Sequence, residues 1–322
     1  MKAIIQDGYG PAERLRLGEI DKPGIGDGEV LIRVRAAAVS PGDWAITNGL
    51  PYIARPVYGL PRPRTAVRGT DVAGVVEAVG TSVTRFAPGD AVFGWARGSF
   101  AEYAVGSEDT LTMKPARLTF EQAAALPESG QVALQALRDH GRVRPGHRVL
   151  INGASGGIGS LAVQIAKSLG AEVTGVTSTG NVELVRSLGA DHVIDYTRED
   201  FTRSGERYDV ILDNVANHSL SRLRGAVTPR GTLVPNGGSF QKRWIAGGGR
   251  VVHARLLSPF VKQALRPFLF SRRHEDLEAL RDLVEAGTLT PVIDRVYPLS
   301  ETPQAVRHVG TGHTRGKVAI AA

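Results

Sequence analysis

The first third of the chain sets short apolar runs between turns that carry glycine and proline. EVLIRVRAAAV (29–39), VAGVVEAVG (72–80) and GSFAEYAVG (98–106) read as strands, because β-branched and small apolar residues alternate or run continuously between GDG and PGD turns. This predicts a β-rich, barrel-like domain over residues 1–124. Across 125–262 the period changes: helical spacing in ALQALRDHGRV, SLAVQIAKSLG, NVELVRSLG and LSRLRGAV alternates with strand-like VLING, EVTGVTS, HVIDY, DVILDNV and GTLVPNG. Strands that alternate with helices predict an α/β domain built on a doubly wound parallel sheet. Residues 263–322 add an amphipathic helix (EDLEALRDLVEAG), a strand (VIDRVYPLS), a further helix and a closing strand, KVAIA.

The sharpest chemical signal lies inside the alternating region. Residues 149–159, VLINGASGGIG, pass from an apolar strand through a glycine cluster into a helix. Ala154, Gly156 and Gly159 fit the A-x-G-x-x-G form of the dinucleotide fingerprint, with Ser155, Gly157 and Ile158 between them. Small residues there permit a tight turn, close approach to a pyrophosphate and tight packing of helix on sheet, while the helix N-terminus faces the anion. Two other readings use the same residues. Gly153 to Gly157 also satisfy G-x-S-x-G, the nucleophile elbow of hydrolases, for which Ser155, Asp213 and His253 stand in a workable chain order. A short-chain dehydrogenase uses a similar turn but needs Tyr four residues before Lys, and none of the seven tyrosines has that spacing.

Composition changes the picture at two points. The chain has no cysteine, which removes disulfides, thiol nucleophiles and thiolate metal sites. No H-x-x-x-H pair offers another metal route, so no metal site is expected. The net charge of +7 is concentrated. No acid occurs between Asp213 and Glu275, and none between Trp44 and Thr70, a stretch that carries Arg55, Arg62, Arg64 and Arg68. Such fields raise the local concentration of anions such as a phosphorylated cofactor or an acidic substrate. No nucleic-acid-binding motif accompanies them. Without a signal peptide or a span-length apolar run, the expected location is cytoplasmic, with no integral membrane association. The apolar and basic segment 249–270 reads as a pocket cover or dimer contact, with membrane-surface binding as the alternative.

Taken together, RAAAVSPGDW, GTDVAGVVEAVG, LPESGQVALQALRD, the glycine turn, GADHVIDY and the ending TPVIDRVYPLSETPQAVRHVGTGHTRGKVAI resemble the zinc-independent medium-chain dehydrogenase/reductases of the quinone oxidoreductase type over nearly the whole length. The resemblance implies a GroES-like barrel joined to a Rossmann domain, a tail that returns to the barrel, an active site in the cleft between domains, and a homodimer. Zinc-dependent relatives place Cys where Ser40 stands and His where Thr70 stands, so both ligands are missing. Without a Lewis acid, the expected chemistry is hydride transfer from a nicotinamide to a small-molecule quinone or enone. Carbonyl reduction or alcohol oxidation on the same fold, and a non-enzymatic sensing role, remain as alternatives.

Candidate residues follow. Tyr52 is expected to donate to the substrate oxygen or to line the pocket; Ser40 is a second donor, and Asp43 orders the turn. At the end of the second strand, Ser178, Thr179 and Asn181 replace the acid that NAD enzymes use to bind ribose, which favours NADPH, with NADH weaker. Tyr196 matches the family's tyrosine at the 2′-phosphate, whereas Gly180 stands where many relatives carry a basic residue. Asn214, Asn236 and Gly237, at the ends of two later strands, complete the expected cofactor set.

Overall fold

The computed structural model describes residues 1–236 and 248–322. The chain forms two compact units, Met1–Gln131 with Arg272–Ala322, and Val132–Ser271.

The first unit is organised by the long strand Glu29–Val39. Its even-numbered residues Val30, Ile32, Val34 and Ala36 are buried, while Arg33 and Arg35 face outward, the period-two pattern of a half-buried strand. It pairs antiparallel with Asp71–Val79 on one side and, at its other edge, with Tyr103–Ser107 and then Lys317–Ala321. Ala91–Trp95 and Leu111–Met113 extend the sheet beyond Asp71–Val79, and Ile293–Pro298 lies parallel beside Lys317–Ala321. The tail therefore closes on the N-terminal sheet. One core gathers Val30, Ile32, Val72, Val92 and Leu111; a second gathers Ile4, Val39, Phe100, Val306 and Ile320, with Trp44 packed against it.

Register in this sheet has a chemical consequence. Ala38 opposes Asp71 across one edge and Ala319 across the other, which brings Lys317 and Asp71 to the strand's C-terminal end. There the chain turns at Ser40 into the helix Pro41–Thr47.

The second unit carries a six-stranded, all-parallel sheet in the order His192–Asp195, Glu172–Thr177, Arg148–Asn152, Tyr208–Asp213, Val227–Pro235, Ala264–Leu265. Numbered along the chain this is 3-2-1-4-5-6, the doubly wound order. Asp195 opposes Thr177, Val176 opposes Asn152, and Asp213 opposes both Asn152 and Pro235, so the strands end level along one edge. Leu150, Val176, Ile211, Leu233 and Leu223 fill the core on one face.

Two sequence expectations shift. The stretch 98–106 is strand only over Tyr103–Ser107, because Gly98 turns at φ +73° and the Phe100 N–H donates to the Arg68 carbonyl 2.9 Å away. The helix expected over 133–143 begins at Pro127 and widens over Gln135–His140, where the Gly141 N–H reaches back five residues to the Ala136 carbonyl at 2.7 Å. Among the described residues, no helix is long and apolar enough to cross a membrane.

Candidate functional site

In the second unit, the turn after Arg148–Asn152 begins at Gly153 with φ +82°, a conformation that costs glycine little. The N–H groups of Gly153 and Ala154 both donate to the Val176 carbonyl, at 3.1 and 3.0 Å, and tie the turn to the second strand. Gly156 then occupies the N-cap of the helix Gly157–Ser168 and brings no side-chain acceptor. The first-turn N–H groups of Gly157, Ile158 and Gly159 are thereby left for an anion, at the positive end of the helix. Gly159 is fixed by packing rather than by φ. A Cβ there would lie 2.0 Å from the Gly153 carbonyl oxygen and 2.8 Å from Ala154 Cα.

Beside this turn, at the carboxyl end of Glu172–Thr177, hydroxyls and an amide form a small network. The Thr177 hydroxyl donates to Ser155 Oγ at 2.8 Å, and Asn181 Nδ2 donates to Ser155 Oγ and Ser178 Oγ at 3.3 and 3.2 Å. Ser178 sits at the N-cap of the turn Thr179–Asn181, yet its side chain makes no capping bond. Thr179 turns away and donates to Asp195 at 2.6 Å. Asp195 also accepts from the backbone and hydroxyl of Thr197, and these bonds, led by that from Thr179, hold its carboxyl below the usual range. The Tyr196 N–H donates to the Thr177 carbonyl at 3.0 Å, and the residue is 52% exposed. Gly180 is exposed and offers no cation.

Farther along the same edge, Asn236 Nδ2 donates to Asn214 Oδ1 at 2.8 Å. Gly237 lies outside the described residues. Among the described residues, Asn181 Oδ1 and Asn214 Nδ2 are buried and find no hydrogen-bond partner. Orphaned buried polar atoms are rare, and an acceptor and a donor left open along one strand edge suit a ligand that carries both kinds of group. With the glycine turn between them, these residues fit a dinucleotide.

The hydrolase triad does not assemble. Ser155 is engaged by Thr177 and Asn181. Asp213, fully buried, accepts from Asn152 Nδ2 at 2.7 Å, from the backbone of Val215 and Ala216, and from Arg250. His253 is exposed on the helix Gly248–Leu257.

In the first unit, Ser40 and Asp43 form a reciprocal cap at the start of Pro41–Thr47. The Asp43 N–H donates to Ser40 Oγ at 3.2 Å, while the Ser40 N–H and hydroxyl donate to Asp43 Oδ2 at 2.8 and 3.0 Å. Burial pushes the Asp43 carboxyl up to about 6, with Glu128 adding to the rise and the bonds from Ser40 opposing it. Asp71 is raised by the same cause, burial, against the pull of Lys317, whose Nζ lies 3.4 Å from its Oδ2 with both side chains buried. Tyr52 opens a separate short turn, Tyr52–Ala54, and is half-buried. The Arg55 guanidinium lies over both the Tyr52 and Tyr9 rings, 4.6 and 4.8 Å from their centroids, and is held by the Gly49 carbonyl at 2.9 Å. Sequence reasoning counted Thr177 among the hydroxyls at the end of the second strand without giving it a contact, and did not single out Asp195 or Asp71.

Residues 26–116 match the alcohol dehydrogenase GroES-like domain, and residues 188–320 match the zinc-binding dehydrogenase domain. A chloroplastic quinone oxidoreductase of Triphysaria versicolor is 33% identical over 99% of this chain and 98% of its own length. The chain is a medium-chain dehydrogenase/reductase of the quinone oxidoreductase family. A mitochondrial NAD(P)H oxidoreductase of Mus musculus is 36% identical over 99% of this chain and 89% of that protein. The solved quinone oxidoreductase of Coxiella burnetii superposes with a TM-score of 0.86 at 31% identity, covering 100% of this chain and 99% of that one. The GroES-like barrel with a Rossmann sheet, and the oxidoreductase class with a nicotinamide cofactor, follow from membership.

Zinc, implied by the description of one domain, does not fit the residues present. The chain has no cysteine. Ser40, at the position of a zinc ligand in metal-dependent relatives, donates its hydroxyl hydrogen bond to Asp43. Among the described residues, no group of three or more His, Cys, Asp or Glu is arranged to hold a metal ion.

Proposed function

We propose that this family member is an NADPH-dependent, zinc-free reductase of quinones or α,β-unsaturated carbonyl compounds. The observation that carries the cofactor choice is the rim at Ser155, Ser178 and Asn181, where hydroxyls and an amide replace the acid that would bind ribose hydroxyls and repel a 2′-phosphate. Tyr196 flanks that rim, and Thr179 is committed to Asp195, so the Ser178 hydroxyl is the stronger donor of the set, while Asn181 Nδ2 already donates to Ser155 and Ser178 and its Oδ1 is left as an acceptor. The pyrophosphate belongs at the N–H groups of Gly157, Ile158 and Gly159. Asn214 Nδ2 is an open donor for the nicotinamide half. When bound, the dinucleotide supplies the hydride.

Reduction leaves negative charge on the acceptor's oxygen, and fixed donors must meet it. Tyr52, ordered by Arg55, is the first such donor. Ser40 is the second, but its proton is committed to Asp43 while that carboxylate is ionised. Protonation of Asp43, at about pH 6, reverses the bond and frees the Ser40 hydroxyl to donate outward. Asp43 thus sets the direction of the Ser40 hydrogen bond as well as capping the helix. A relative named as an NADPH-dependent alkenal/one oxidoreductase, from Arabidopsis thaliana, supports the enone class at 33% identity. The homodimer is carried over on family grounds.

The test follows NADPH and NADH consumption by chelator-treated protein against a benzoquinone, a naphthoquinone, an alkyl enone and a saturated ketone. Metal-independent turnover of quinone or enone, faster with NADPH, is the expected result. Turnover of the saturated ketone alone, or tight NADPH binding without any turnover, overturns the proposal.

A further inference from the structure

Arg68 is out of place for a solvent-facing cation. It is 9% exposed and lies in the segment that leads into Asp71–Val79. Nε donates to Gln6 Oε1 at 2.5 Å, and Gln6 is itself locked by bonds from its Nε2 to the carbonyls of Thr47 and Gly8. Nη2 is buried and meets no acceptor among the described residues. Among the described residues, no carboxylate lies within ion-pair distance of this guanidinium. Burial lowers its pKa, and Tyr9, Asp43 and Tyr58 stand near enough to oppose that electrostatically. An arginine stays charged under such a shift.

A buried cation with no carboxylate at ion-pair distance is costly, and chains that keep one commonly use it at a site. The surroundings sharpen this. Arg68 is the last cation of the acid-free stretch 45–70, which also carries Arg55, Arg62 and Arg64, all of them in the unit that holds Ser40, Asp43 and Tyr52. Through Gln6 and the Thr47 carbonyl it is linked to the helix that Ser40 and Asp43 cap. Lys317, the other buried cation nearby, already has Asp71.

We propose that Arg68 is the anion pole of the substrate subsite, and that the preferred acceptors are enones or quinones bearing a carboxylate. This rests on the reading of the first unit as the substrate-binding part of the reductase. A carboxylate supplies both the missing charge and the acceptor for Nη2, in the paired geometry that suits guanidinium.

The experiment compares an unsaturated keto acid with its methyl ester as acceptors for the wild-type protein, Arg68→Met and Arg68→Lys. Binding of the unreactive levulinate and methyl levulinate is measured in parallel by calorimetry. Wild type is expected to favour the acid over the ester by about ten- to a hundredfold in kcat/KM and to bind levulinate but not its ester. Arg68→Met collapses the ratio toward one, and Arg68→Lys keeps part of it. Equal use of acid and ester by wild type, or an acid preference that survives Arg68→Met, overturns the proposal. Wild-type ratios decide the matter even if a variant fails to fold. Turnover without acid preference rejects this inference and leaves the reductase reading intact; levulinate binding lost in Arg68→Met, with no turnover of either acceptor, does the reverse.

Discussion

Replacing Gly159 by alanine tests whether the glycine turn is built for a dinucleotide rather than merely tolerant of glycine. The added Cβ falls 2.0 Å from the Gly153 carbonyl oxygen, 2.8 Å from the Gly153 carbonyl carbon and 2.8 Å from Ala154 Cα. All three are backbone atoms, so no side chain can swing aside. Relief requires helix and turn to part by on the order of 1 Å, at a cost of ~1–3 kcal/mol for an overpacked site. Parting them also moves the N–H groups of Gly157 and Ile158 from the anion position. The expected result is a lower urea midpoint together with at least tenfold weaker NADPH binding, read by fluorescence titration. Gly225→Ala is the control in the same unit, since a Cβ there meets nothing within 4 Å. It should leave binding unchanged and be neutral to stabilising by up to ~1 kcal/mol. Unchanged midpoint and affinity in Gly159→Ala would refute the reasoning.

Three further outcomes follow from the same structure. Asp43 has its folded-state pKa raised, so its proton contributes stability that is fully present below the unfolded value near 3.8 and is lost as pH rises through about 6. Urea midpoints from pH 4 to 7 should therefore fall for wild type relative to Asp43→Asn, and parallel curves would count against the burial account. Asn181→Asp places a carboxylate beside Ser155 and Ser178, and should weaken NADPH relative to NADH by about tenfold or more in equilibrium titrations. Asp213→Asn leaves the partly buried Arg250 without its counter-charge and should destabilise the protein by ~3 kcal/mol in chemical denaturation, beyond the spread of surface substitutions.

Much of the fold was legible because local signals and tertiary demands agreed. Glu29–Val39 and Lys317–Ala321 form strands with the bounds that their apolar runs suggested, and glycine turns precede both. The glycine turn was legible for a related reason: Ala154, Gly156 and Gly159 stand between a strand-like run and a helical one, the local setting that the dinucleotide fingerprint requires. What stayed hidden depends on partners distant in sequence. Thr179 reads as a ribose contact, yet it bonds Asp195 in the neighbouring strand, sixteen positions on. Asp71 and Lys317 meet only because both strands flank Glu29–Val39, 246 residues apart along the chain. Arg68 counted as one more member of a basic run, and only burial separates it from Arg62 and Arg64, which are exposed.

The central claim is that hydride passes from the nicotinamide to a conjugated acceptor without metal assistance. Chelator-treated enzyme supplied with NADPH deuterated at the transferred position and an alkyl enone tests it most directly, by locating the label in the product. The account predicts deuterium on the β-carbon of a saturated ketone, formed at the same rate with and without chelator. Deuterium on the carbonyl carbon of an allylic alcohol, or activity that chelation abolishes and zinc restores, would contradict it.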